Sequence, residues 1–126
     1  MAKIVLVEDD VMLAEIYQTR LKLAGHVCLV ANDGMTGLSL IEHELPDIAL
    51  LDLMLPNMSG DNILRHMRET EWGKNMKAIF LTNISESEAP ENLKELNFER
   101  YIVRANLSNS ELEDIIAKTL AQAPQT

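Results

Sequence analysis

The stretch KIVLVEDD places three acids, Glu8, Asp9 and Asp10, at the end of a short apolar run. A second apolar run, IALLDLMLP, contains one carboxylate, Asp52, and stays apolar on to Pro56. Two more runs end in polar side chains, AIFLTN at Thr82 and YIVR at Arg104. An unpaired carboxylate is costly to bury, so Asp52 must be paired, bound to a cation or held at an open edge for use. The acids of EDD have a simpler reading as complements to a helix N-terminus, worth less than about 1 kcal/mol each. For Asp10 alone that reading is preferred. It fails for the group, because Glu8, Asp9 and Asp52 brought together would repel unless a cation neutralised them. Clustered carboxylates without His or Cys suit a hard cation, Mg²⁺ before Zn²⁺. A divalent ion beside a Thr hydroxyl and an Arg points to phosphate chemistry, with Asp52 as a carboxylate nucleophile.

These residues can meet only if the runs that carry them are neighbouring strands. KIVLV (3–7), VCLV (27–30), IALL (48–51), MKAIFL (76–81) and RYIV (100–103) have strand length and apolar content. Segments of helical spacing lie between them. One presents Leu13, Ile16, Tyr17, Leu21 and Ala24, and the next Met35, Leu38, Ile41 and Leu45. A third presents Ile63, Leu64 and Met67, and the last Leu112, Ile115, Ile116, Thr119 and Leu120. SNSE (108–111) reads as a capping box, and SESE (85–88) as the opening of a further helix. Gly25 and Asn97 suit left-handed helix stops. Five strands alternating with five helices predict an α/β fold with a parallel sheet covered on both faces. Ligands bind such sheets beyond the carboxyl ends of the strands, where Glu8, Asp9, Asp52, Thr82 and Arg104 all fall.

Composition narrows the function. The chain of 126 residues is 47% hydrophobic and 25% charged, as expected of one soluble globular domain over 1–126 with a frayed or linker-like tail at 121–126. The net charge of −9 argues against direct nucleic-acid binding, since phosphate contacts need clustered Lys and Arg. No apolar run is long enough for a bilayer, and no signal-peptide pattern opens the chain, so no membrane association is expected. The single Cys28 reads as a small buried hydrophobe, and with no second cysteine a reduced, cytoplasmic setting is expected. His26, His43 and His66 lack metal-ligand neighbours, and Trp72 reads as a surface-packing residue. Neither GxGxxG nor GxxxxGK[ST] follows the first strand, which excludes a dinucleotide fold and a P-loop.

KIVLVEDD, PDIALLDLMLPNMSG, AIFLTN and YIVRANLS, in this order, resemble the receiver domain of bacterial two-component response regulators, of the chemotaxis-regulator kind. The resemblance covers residues 3 to 120 and implies a flavodoxin-like, doubly wound sheet of order 2-1-3-4-5. It implies that Asp52 is the phosphoacceptor, with Glu8, Asp9, Asp52 and the Met54 carbonyl holding Mg²⁺. Thr82 would bind the phosphoryl group, Arg104 would stand for the family's Lys, and Tyr101 would be the switch aromatic. An ordinary edge-strand role for Tyr101 stays open. Receivers usually carry Lys-Pro where this chain has Arg104 and Ala105, and Arg is bulkier and forked. A trans peptide is expected there.

The function so implied is a phosphorylation-activated switch rather than an enzyme acting on other molecules. Its phosphodonor would be a histidine kinase or phosphotransfer protein. The fourth helix, fifth strand and fifth helix would form its output face toward a downstream protein, an effector domain or a phosphorylation-dependent homodimer. A scaffold that is never phosphorylated is the alternative. A phosphatase or mutase would want a general-acid Asp at position 54, which is Met, and a cap for which no residues remain.

Overall fold

The computed structural model describes residues 1–108 and 110–122. The strands are β1 (Lys3–Val7), β2 (Val27–Ala31), β3 (Ile48–Leu51), β4 (Lys77–Thr82) and β5 (Arg100–Val103). They form one parallel sheet in the order β2-β1-β3-β4-β5. The helices are α1 (Val11–Leu23), α2 (Gly34–Glu44), α3 (Gly60–Arg68) and α4 (Glu111–Ala121). Side chains alternate across a strand, so β1 sends Ile4 and Leu6 to one face and Val5 and Val7 to the other. The first face packs on Tyr17 and Leu21 of α1 and on Leu112, Ile115 and Ile116 of α4. The second packs on Ile41 of α2 and on Ile63, Leu64 and Met67 of α3.

One expected helix does not form. Between β4 and β5 the chain makes two short 3-10 turns, Glu86–Glu88 and Leu93–Leu96, leaving four α-helices among the described residues. Pro90 explains the difference: it cannot donate to a helix, and it pushes Ala89 into extended backbone at φ −67°, ψ 156°. Asn92 then turns left-handed at φ 68°. Leu93 and Leu96 still bury themselves against the second face, so the apolar spacing served packing without a continuous helix. The expected output face is therefore built from these turns, β5 and α4.

This segment is held at both ends. The Tyr101 hydroxyl donates to the Ile84 carbonyl at 2.7 Å. At the other end the Arg68 guanidinium donates to the carbonyls of Leu96 (2.7 Å) and Asn97 (3.0 Å), and it also holds those of Gly73 (2.7 Å) and Met76 (2.8 Å) ahead of β4. Asn97, at φ 54°, is the left-handed stop expected of it, though it ends a 3-10 turn.

Other expectations need local correction. Ile16 and Met35 are exposed, because Ala14 in α1 and Gly34 and Gly37 in α2 take the inward positions. Ala24 and Leu45 are likewise exposed, at the ends of these helices. Half of the capping box at 108–111 forms: the Ser108 N–H donates to the Glu111 carboxylate at 3.0 Å, but Ser110, the residue before the helix, makes no side-chain capping bond. Ala121 is helical, and residues 123–126 of the expected tail lie outside the described residues.

Candidate functional site

The parallel register brings the carboxyl ends of β1, β3, β4 and β5 side by side. Val7 pairs with Leu51, Leu51 with Phe80, and Thr82 with Val103. The next residues along β1 and β3 are Glu8 and Asp52, both buried. Asp52 is pinned by its surroundings. The Met54 N–H donates to its Oδ1 at 3.2 Å, and α3 starts directly against its backbone. A Cβ at Gly60 would lie 2.1 Å from the Asp52 carbonyl oxygen, so only glycine lets the two segments approach this closely.

Glu8 is fixed from two sides. Its Oε2 accepts the Asp10 N–H at 3.1 Å, and the Asn32 side-chain amide donates to its carbonyl at 2.9 Å. Asp10 caps α1, accepting the Leu13 N–H at 3.1 Å, as the simpler reading of that residue held. Exposed Asp9 stands between them. One carboxylate oxygen from each of Glu8, Asp9 and Asp52 lies within 4.8 Å of the others. Among the described residues, this trio is the group of ligating side chains close enough to share an ion. An all-oxygen donor set of three carboxylates fits Mg²⁺.

Arg104 reaches across the trio. Its Nη1 pairs with Glu8 Oε1, its Nη2 lies 3.5 Å from Asp52 Oδ2, and its Nε donates to Asn83 Oδ1 at 3.2 Å. The guanidinium thus touches the ends of three strands. Burial pushes the Glu8 carboxyl up to about 7 from its ordinary 4.5, helped by the nearby Asp52 charge and opposed by the Asp10 N–H and Arg104.

Thr82 is fully buried, and its Oγ1 accepts the Ile84 N–H at 3.4 Å. Ile84 therefore links Thr82 to Tyr101, whose hydroxyl takes the carbonyl of the same residue. The half-buried Tyr101 ring packs near Phe80 and Phe98, at centroid distances of 6.1 and 6.4 Å. Met54 is 66% exposed. The peptide between Arg104 and Ala105 is trans.

The structure brings Glu8, Asp9, Asp52 and Arg104 together and ties Thr82 to Tyr101. Asn83 and Asn32 were not read from the sequence as part of this site. The one available signal for Asn83 was its position directly after Thr82. The remaining reactive types stand apart: His26 Nδ1 accepts the Ala2 N–H at 3.2 Å, and burial pushes the Cys28 thiol up to about 11.

The chain matches the family model of the response regulator receiver domain over residues 4–118. It belongs to that family. This receiver domain is similar to a probable transcriptional regulator, ycf27 of Guillardia theta, with 30% identity over 94% of the chain and 45% of that relative. It thus spans less than half the length of that curated relative. Among solved structures, it is similar to a putative response regulator from Chloroflexus aurantiacus J-10-fl. That match has a TM-score of 0.86 at 25% identity, covering 96% of this chain and 98% of that one. The BeF3-activated receiver domain of Klebsiella pneumoniae RstA gives 0.84 at 27%, covering 95% and 99%. Receiver domains are the switches of two-component signalling, and this one carries the family's acidic pocket in Glu8, Asp9 and Asp52.

Proposed function

We propose that this receiver domain is switched by phosphorylation of Asp52, with a phosphohistidine of a sensor kinase or phosphotransfer protein as donor. The observation that carries the reading is a buried carboxylate at a strand end, within 4.8 Å of two further acids and contacted by Arg104. An oxygen of Asp52 attacks phosphorus while the bond from phosphorus to the donor nitrogen breaks. The leaving imidazole keeps the electron pair and takes up a proton. Glu8, Asp9, Asp52 and the Met54 carbonyl would hold Mg²⁺, which supplies charge neutralisation for the transferring group when bound. Arg104 and the Thr82 hydroxyl then bind the phosphoryl oxygens.

The change would pass from Thr82 through Ile84 to Tyr101 and alter the face formed by the two 3-10 turns, β5 and α4. A downstream protein, an effector domain or a second phosphorylated copy would read that face. A cytoplasmic setting suits this chemistry, and among the described residues no helix is long and apolar enough to cross a membrane.

The test is intact mass after acetyl phosphate and Mg²⁺. One phosphoryl adduct, absent in Asp52→Asn, is expected. An unmodified wild-type chain would favour an unphosphorylated scaffold, the reading that Arg104 and Ala105 in place of Lys-Pro raise.

A further inference from the structure

Arg104 makes its contacts through three separate nitrogens, which the single nitrogen of a Lys could not do. Its three nitrogens face three different residues: Nη1 pairs with Glu8, Nη2 faces Asp52 and Nε donates to Asn83. A guanidinium is planar, and rotation about its last bonds decides which edge meets a given carboxylate. Glu8 and Asp52 hold only the outer nitrogens. The Asn83 side-chain oxygen, 3.2 Å from Nε, supplies a third contact that limits rotation of the plane. An ammonium at position 104 would carry no Nε–H for Asn83 to receive.

Asn83 is exposed and absent from both apolar clusters, so core packing does not account for it. It is also the residue directly after Thr82, at the mouth of the site.

We infer that Asn83 is a positioning residue that holds the Arg104 guanidinium with Nη2 toward the Asp52 oxygens. This rests on Asp52 being the phosphoacceptor. As the new oxygen–phosphorus bond forms and the bond to the donor nitrogen breaks, charge spreads over the equatorial phosphoryl oxygens. A donor already in place for that charge needs no reorganisation during the step. Asn83 touches neither the donor nor the reacting atoms, and its effect passes wholly through Arg104.

Four proteins test this: wild type, Asn83→Ala, Arg104→Lys and the double variant. Each is phosphorylated by phosphoramidate with Mg²⁺ and followed by intact mass across donor concentrations. Asn83→Ala is expected to lower the saturated rate constant about tenfold with the half-saturating donor concentration unchanged. In the Arg104→Lys background the same substitution should change nothing. In the free protein, the Arg104 Nε–H signal should be protected from solvent exchange in wild type and lose that protection in Asn83→Ala. Equal slowing in both backgrounds, an unslowed Asn83→Ala, or an unchanged Nε–H signal would each overturn the inference. A wild type that takes no phosphate would sink the phosphorylation reading instead, while the Nε–H comparison still decides whether Asn83 holds Arg104.

Discussion

Glu8 couples the site to pH. Its carboxyl titrates near 7 in the folded protein against an ordinary 4.5, so folding favours its protonated form. The stability this contributes is full below about pH 4.5 and is lost as pH rises through about 7. Metal-free protein should therefore lose roughly 1–3 kcal/mol between those limits that Glu8→Gln does not lose. Thermal melts of the two proteins across that range measure the difference, and parallel curves would remove Glu8 as the cause. If Asp52 is phosphorylated as proposed, two apolar residues are expected to bear on how long that state lasts. Hydrolysis needs a water aligned with the scissile bond, and Met54 and Ile84 have no group to orient one. The double variant Met54→Asn with Ile84→Glu should lose its phosphoryl group at least about tenfold faster, a change of 1.4 kcal/mol in the barrier. The decay of the phosphorylated mass reads this directly, and an unaltered rate would turn attention to Arg104.

At the scale of elements, α3 and Asp52 share one close contact. Gly60→Ala should cost about 2–3 kcal/mol, because its new Cβ must displace either the Asp52 backbone or the start of α3. Its phosphorylation rate should fall along with its melting temperature, whereas a strain relieved elsewhere would leave that rate intact. The strands were legible in the sequence to within a residue, since buried parallel strands are continuous apolar runs that little else resembles. The acid trio was legible for the same reason, once Glu8, Asp9 and Asp52 were seen to end such runs. The missing helix was not. SESE (85–88) and Asn97 read as the opening and the stop of a helix, and those end signals outweighed the single Pro90 between them that breaks it. Ile16 was misjudged because apolar residues in α1 occur on both its faces, and only packing selects Ala14, Tyr17 and Leu21. The Arg104–Asn83 contact joins residues just past the ends of two different strands, which no local pattern reveals.

For the molecule as a whole, the site is a concentration of negative charge within a chain of net charge −9. A cation that binds only the folded trio must stabilise it by mass action, by about 2.7 kcal/mol at a hundredfold excess over its dissociation constant. Titrating Mg²⁺ should raise the melting temperature of wild type, and Asp9→Asn should blunt the rise. A flat response in wild type would count against the trio as a metal site. The segment between β4 and β5 has fastenings of unequal strength. Beyond Asn83, which Arg104 holds, its near end is tied by one neutral phenol, from Tyr101 to Ile84. At its far end a charged guanidinium grips two of its carbonyls, Leu96 and Asn97, and ties them to Gly73 and Met76 ahead of β4. Charge-assisted bonds are roughly twice as strong as neutral ones, and here they also outnumber the phenol's single bond. The segment therefore has a built-in order of release, like a strip of tape with one weak corner. It peels from the Ile84 end, beside Thr82, while Arg68 keeps the other end as a hinge.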